Sequence, residues 1–344
     1  MTLERAHEAG LAAIAGHDVA ALPGALRRVE ETSLRAMAAV LPSTGVAARH
    51  AWLVDRWRAA LEGEPDIEPD GGAPGPEFED AYATLGFPPA MARFHRAALA
   101  RLSGLLADEV DVRQLLFGDA DVLTALAAYQ DNVFTGYLNA ASADLVRQAA
   151  DATPYPLRVL ELGGGAGLCT AAALAALRGA RYEYLFTDVS RLFTVAAARR
   201  FAEHPGVDHA LLDIDTDFAA QGREAGSADV VLAGNVLHNA THVGRALERI
   251  RWLLAPGGSL VFTESTRENH AILTSMQFLL SPEPGRARLG SDDRRGPAGA
   301  VFVDEAGWCA ELTGAGFTPP RTLPDPESPL AVAGQQLFWS RRVE

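Results

Sequence analysis

The sequence predicts an open, mostly parallel α/β sheet from about residue 151 onward, preceded by an all-helical region over residues 1–150. Three observations carry this expectation. The run Leu157–Leu162 is short and apolar, as a strand buried on both faces must be, and it ends in a glycine cluster. Beyond it, strand-like and helix-like segments alternate, which implies right-handed crossovers between parallel strands. Before it, Ala and Leu dominate and β-branched runs are missing, a composition that favours helix.

In chain order, residues 46–61 form the clearest early helix, with Trp52, Leu53, Trp57, Ala60 and Leu61 recurring at helical spacing. Residues 64–76 are rich in proline and glycine and read as a surface loop. Helical patterning resumes over 88–106 and 122–149. This region is expected to pack two subunits into a homodimer and to cap a neighbouring site. Thr153-Pro-Tyr-Pro156 marks the junction, because a residue before proline is pushed out of helix. Strands are then expected at 157–162, 182–187, 208–212, 228–234 and 258–263, with edge strands near 316–322 and 334–340, seven in all. Helices fall at 168–178, 190–203 and 240–254. Trp308, Phe317 and Trp339 read as core.

The chain has 344 residues and a formal charge of −14, which argues against nucleic acid or an anionic membrane as the main partner. No apolar run reaches the length of a membrane span, and no basic start with an apolar stretch opens the chain. Two cysteines, Cys169 and Cys309, make no disulfide framework, which fits a reducing cytoplasm. The expectation is a cytoplasmic enzyme acting on a small molecule.

The glycines at 163, 165 and 167 let a ligand approach the backbone closely, and the helix that follows turns its amide groups toward that ligand. A dinucleotide loop would want glycine at 168, which is Leu. With Glu161 just before it, Gly163-x-Gly165-x-Gly167 instead resembles motif I of class I S-adenosylmethionine-dependent methyltransferases. In open α/β sheets ligands bind at the carboxyl ends of the strands, where the other candidates fall. Asp188 ends the second strand and could accept the ribose hydroxyls, or cap the next helix. Asp213 could accept the adenine amino group while Ile214 packs on the ring. Asn235 closes the fourth strand, beside the amino-acid part of the cofactor.

Finer wording narrows the resemblance. Phe186-Thr-Asp-Val-Ser190, Asn235-Val-Leu-His-Asn-Ala-Thr241 and Pro256-Gly-Gly258 leading to Glu264 resemble the carbon-methylating domains of polyketide and nonribosomal peptide synthetases. Ala48-Arg-His-Ala-Trp-Leu-Val-Asp-Arg-Trp57 and Tyr129-Gln-Asp-Asn-Val-Phe-Thr-Gly-Tyr-Leu-Asn139 are similar to the same group. The resemblance implies a Rossmann-like, seven-stranded methyltransferase sheet. It also implies a free-standing relative, such as the α-keto acid C-methyltransferases that make β-methylated amino-acid precursors in antibiotic and other specialised pathways. Some of those hold a metal through histidines.

Two readings of the histidines follow. In one, His238 is the general base that takes a proton from the carbon beside a carbonyl, as the matching histidine of the synthase domains does. In the other, His238 and His270 bind Fe or Zn, which chelates the keto acid and stabilises its enolate. His242, in the first turn of the next helix, is a further catalytic candidate. Tyr137, with Tyr129, could cover the methyl group. Arg286, Arg288, Arg294 and Arg295, in the loop 281–299, could meet a carboxylate. Related O-methyltransferases carry a His-Asp pair where this chain has His238-Asn239, which favours carbon as the acceptor. An O- or N-methyltransferase using His238 as base, and a non-catalytic cofactor-binding subunit, are the alternatives.

Overall fold

The computed structural model describes residues 1–41, 45–118, 121–283 and 285–343. The N-terminal half is helical: α1 (Leu3–Ala13), α2 (Leu22–Val40), α3 (Ala51–Glu62), α4 (Pro76–Thr84), α5 (Pro89–Leu99), α6 (Leu102–Leu106), α7 (Val112–Phe117), α8 (Val122–Gln130) and α9 (Val133–Ala152). There follow β1 (Leu157–Leu162), α10 (Leu168–Ala176), β2 (Tyr182–Asp188), α11 (Arg191–Arg200), β3 (Val207–Leu211), β4 (Ala228–Gly234), α12 (Val243–Leu253) and β5 (Leu254–Ser265). The chain closes with α13 (His270–Leu273), α14 (Glu305–Gly314), β6 (Arg321–Leu323) and β7 (Gln335–Arg341).

The strands make one seven-stranded sheet in the order β3-β2-β1-β4-β5-β7-β6. The first five are parallel, and β7 inserts antiparallel between β5 and β6. Chain order reverses between β1 and β4, and this is the switch point where a crevice opens.

Departures from the expected elements have local causes. The helical stretch 122–149 divides because Asn132 turns its side-chain oxygen onto the Thr135 amide at 3.1 Å and starts α9 afresh. The helix expected from residue 46 begins at Ala51, after a tight turn over Ala48–His50. The edge strand near 316–322 shrinks to β6, because Pro319 and Pro320 offer no N–H to a ladder. Before them Phe317 makes an isolated bridge to Arg342. β5 begins at Leu254 rather than 258, with a register irregularity opposite Ala228 and Val230.

Apolar side chains cover both faces of the sheet. One cluster lies under α9 and α10 and continues into the N-terminal helices, taking in Leu3, Trp57, Tyr137 and Trp339. The other lies under α12 and α14, where Phe262 and Phe338 stack with ring centroids 4.9 Å apart and Trp308 and Phe317 are buried. The junction near residue 150 is thus a change from helix to sheet across which packing continues. Among the described residues no helix is long and apolar enough to cross a membrane.

Candidate active site

The glycine turn joins β1 to α10 with Gly163, Gly165 and Gly167 at φ of 59°, 52° and 78°. These left-handed conformations suit glycine, and a Cβ at 163 would run into the Val236 side chain. The turn is locked by Gly164 N–H donating to Thr187 O at 3.0 Å and Gly165 N–H donating to the Asp188 carboxylate at 3.0 Å.

Glu161 sits beneath this turn, 1% exposed. Its Oε2 accepts from Thr170 Oγ1 at 2.6 Å and from Tyr184 OH at 2.7 Å, while its Oε1 is buried without a partner among the described residues. Burial pushes its carboxyl up to about 7. A cavity runs past it, walled by Gly163, Gly164, Asn235 and Thr263 from the sheet and by Thr135 and Asn139 from α9. An orphan carboxylate oxygen facing such a cavity calls for a cationic donor. A ligand ammonium at that point satisfies it.

Asp188 is nearly buried, and its two oxygens accept from the Ser190 and Gly165 amides at 2.8 and 3.0 Å. The capping alternative is therefore part of its role. Each oxygen keeps a second lone pair for a sugar hydroxyl, and burial raises the group's pKa. Asp213, past the end of β3, accepts from the Asp215 amide and the Thr216 hydroxyl at 2.9 and 3.1 Å. Ile214 is half-buried against the second apolar cluster. Asn235 is one of two non-glycine residues among those described with positive φ, at 53°, and its amide donates to Thr263 O at 2.8 Å. Glu161, Gly163, Gly164 and Asn235 line one cavity, Asp188 is tied to the glycine turn beside it through the Gly165 amide, and these residues fit S-adenosylmethionine.

Tyr137 does not reach the crevice. It is fully buried and its hydroxyl lies 2.7 Å from His7 Nδ1, so it joins α9 to α1. A helix presents only one face to a ligand, and the face that lines the cavity carries Thr135 and Asn139 instead. Their i, i+4 spacing in the otherwise apolar first turns of α9 was the available signal.

His238 stands in a tight turn (Leu237–Asn239) just after β4. Its Nδ1 lies 2.9 Å from Glu264 Oε2, and its backbone N–H donates to Glu264 Oε1 at 3.1 Å. Glu264, at the end of β5, is 1% exposed. A buried carboxylate beside Nδ1 holds the proton there and leaves the lone pair on Nε2. Phe302 meets the ring edge-on, with centroids 5.2 Å apart. From below, the buried Arg295 donates to the carbonyls of His238 at 2.6 Å and Ala240 at 2.7 Å. Arg295 is paired with Asp293 at 2.7 Å, and Asp293 accepts the Val243 amide that opens α12. Sequence reading placed Glu264 near the histidines but gave it no role. A carboxylate ending an apolar strand was the clue.

Two expectations are corrected here. His242 caps α12, its Nδ1 accepting from the Arg245 amide at 3.3 Å, so that lone pair serves the helix, and the residue does not line the cavity. The metal site expected at His238 and His270 does not fit the residues present. Among the described residues no three His, Cys, Asp or Glu side chains gather to hold an ion. His270 is instead held on α13 with its Nδ1 buried and unpartnered among the described residues, and burial lowers its pKa. The pairing failed because sequence proximity after two strand ends is not convergence of side chains.

Sheet order, glycine turn and acidic strand ends together define the class I methyltransferase fold. Residues 160–260 match the family described as "Methyltransferase domain". Solved structures with this fold include the CurJ carbon methyltransferase (24% identity, TM-score 0.82, 99% of this chain and 98% of that one). The DszA carbon methyltransferase is similar as well (23%, TM-score 0.77, 98% and 96%). Among curated proteins, the chain is 40% identical over 167 residues to the highly reducing polyketide synthase resH of Aspergillus sclerotiorum, covering 47% of this chain and 6% of that protein. It is 28% identical over 325 residues to the pyochelin synthetase PchF of Pseudomonas aeruginosa, covering 89% of this chain and 18% of that protein. The chain thus spans only a small part of these relatives' length.

Proposed function

We propose that this chain transfers a methyl group from S-adenosylmethionine to the β-carbon of a small α-keto acid, giving the precursor of a β-methylated amino acid. The observation that carries the reading is His238 held on the buried Glu264 carboxylate, a base fixed in the tautomer that can accept a proton. The bound donor supplies an electrophilic methyl group. Glu161, the glycine turn and Asp188 orient that donor at the strand ends. His238 Nε2 takes a proton from the carbon beside the keto group, and Glu264 stabilises the imidazolium that forms. Phe302 against the ring and Arg295 on the His238 carbonyl limit the freedom of the base.

Incubation with donor carrying a ¹³C methyl group and a panel of α-keto acids tests the proposal. A new carbon–carbon bond at the β-position, read by NMR, is expected. Label arriving on oxygen or nitrogen would overturn it. Independently, β-protons of the keto acid should exchange in D₂O with wild type and not with His238→Ala.

A second reading draws on the relatives' names, polyketide synthase and pyochelin synthetase, and takes an acyl chain under assembly as the acceptor. The cavity favours it at one end, where Leu26, Val29, Leu85, Phe87, Met91 and Phe94 make an apolar chamber. Transfer to a longer β-keto thioester in the same assay distinguishes the two.

A further inference from the structure

We propose that Arg288 anchors a carboxylate of the substrate beside His238. The inference rests on the keto-acid reading above and names the group that recognises its acid end. Four arginines lie in the segment 281–299, and three are already committed. Arg286 is exposed and pairs with Glu283 at 3.4 Å. Arg294 pairs with Glu311 at 3.6 Å, and Arg295 is buried against Asp293. Arg288 alone of the four has no carboxylate within 4 Å among the described residues.

Its geometry is that of a preset anchor. Nη1 donates to the carbonyls of Leu289 at 3.1 Å and Ala300 at 2.8 Å, and the guanidinium carbon lies 5.5 Å from the Trp52 ring centroid. Trp52 is itself fixed, its indole N–H donating to Ser281 Oγ at 3.0 Å. These contacts hold the plane of the guanidinium and leave Nε and Nη2 without hydrogen bonds among the described residues. Arg288 and His238 both line a cleft of about 10 Å³, with Leu280, Leu289, Arg295 and Val301, which has room for one oxygen-sized atom beside the guanidinium.

The nearby acids do not neutralise it. Glu268 is held by Arg56 at 2.7 Å and Asp293 by Arg295. Burial, and the charge of Arg295, lower the Arg288 pKa, as expected of a half-buried cation without a counter-ion. A carboxylate entering the cleft would form charge-assisted bonds to the two unspent nitrogens. In an α-keto acid the carbon that loses its proton stands two bonds from the carboxyl carbon. Anchoring the acid at Arg288 would bring that carbon toward His238, which lines the same cleft.

The test compares wild type, Arg288→Gln and Arg288→Lys on an α-keto acid and on its methyl ester, with donor affinity measured by calorimetry. Arg288→Gln should raise KM for the acid by roughly 10- to 100-fold, the range of a lost charge-assisted bond. KM for the ester should match wild type, donor affinity should hold within about twofold, and Arg288→Lys should fall between. Equal effects on acid and ester, or no change in KM for the acid, would overturn the anchor while leaving the keto-acid reading intact. If wild type turns over no keto acid, that reading fails, and pyruvate binding to the protein loaded with S-adenosylhomocysteine decides the anchor separately. Binding lost in Arg288→Gln supports it, and no binding to wild type overturns it.

Discussion

His238 and Glu264 meet twice: the Glu264 carboxylate takes the imidazole Nδ1–H at 2.9 Å through Oε2 and the backbone N–H at 3.1 Å through Oε1. One buried anion therefore sets both the tautomer and the position of the base, across the ends of the adjacent strands β4 and β5.

Removing either group should act on the chemical step. His238→Ala is expected to lower kcat by about 10²–10⁴-fold, the usual worth of a positioned base. Glu264→Gln, which keeps the shape but offers an amide, should lower kcat by a smaller factor. Donor affinity measured by calorimetry should be unchanged in both, and a weakened donor site would count against this assignment.

Glu161 makes donor binding pH-dependent. Burial holds its carboxyl at about 7, so below that pH the free protein carries the proton on Glu161. A ligand ammonium favours the ionised form, so binding expels the proton at pH 6. Affinity should therefore rise with pH up to about 7 and level off above it. Glu161→Gln should flatten this profile and weaken binding about 10- to 100-fold, as loss of a charged hydrogen bond does. Calorimetry in buffers of different ionisation enthalpy reads the proton directly.

Arg295 ties the turn of His238 to the segment that follows β5. Arg295→Ala leaves the buried Asp293 unpaired and should cost about 3–5 kcal/mol of stability in denaturant unfolding. At temperatures where the variant remains folded, kcat should fall further than donor affinity does, because the freed turn carries the base.

Tyr137 is a matter of packing. Tyr137→Phe loses the hydrogen bond to His7 and should destabilise by about 1 kcal/mol. Affinity for the donor should not move. A tenfold weaker donor site in this variant would place the ring against the cofactor after all.

Read as sequence, this chain determined its sheet. Local pattern suffices for a parallel strand buried on both faces, for the glycine turn that only small residues allow, and for acids that close successive strands. Hence 157–162, 182–187 and 228–234 match the observed strands within a residue, and Glu161, Asp188 and Asn235 fall at or just past the ends of β1, β2 and β4. Tertiary structure alone decided which side chains share a site. His238, His242 and His270 are near neighbours in sequence, but a capped helix takes one, a buried carboxylate another, and α13 the third. Arg288 and Arg295 look alike in one loop, yet Arg295 is buried against Asp293, while Arg288 has no carboxylate within 4 Å among the described residues. Periodicity records which face of an element is buried, whereas convergence depends on contacts between residues tens or hundreds of positions apart.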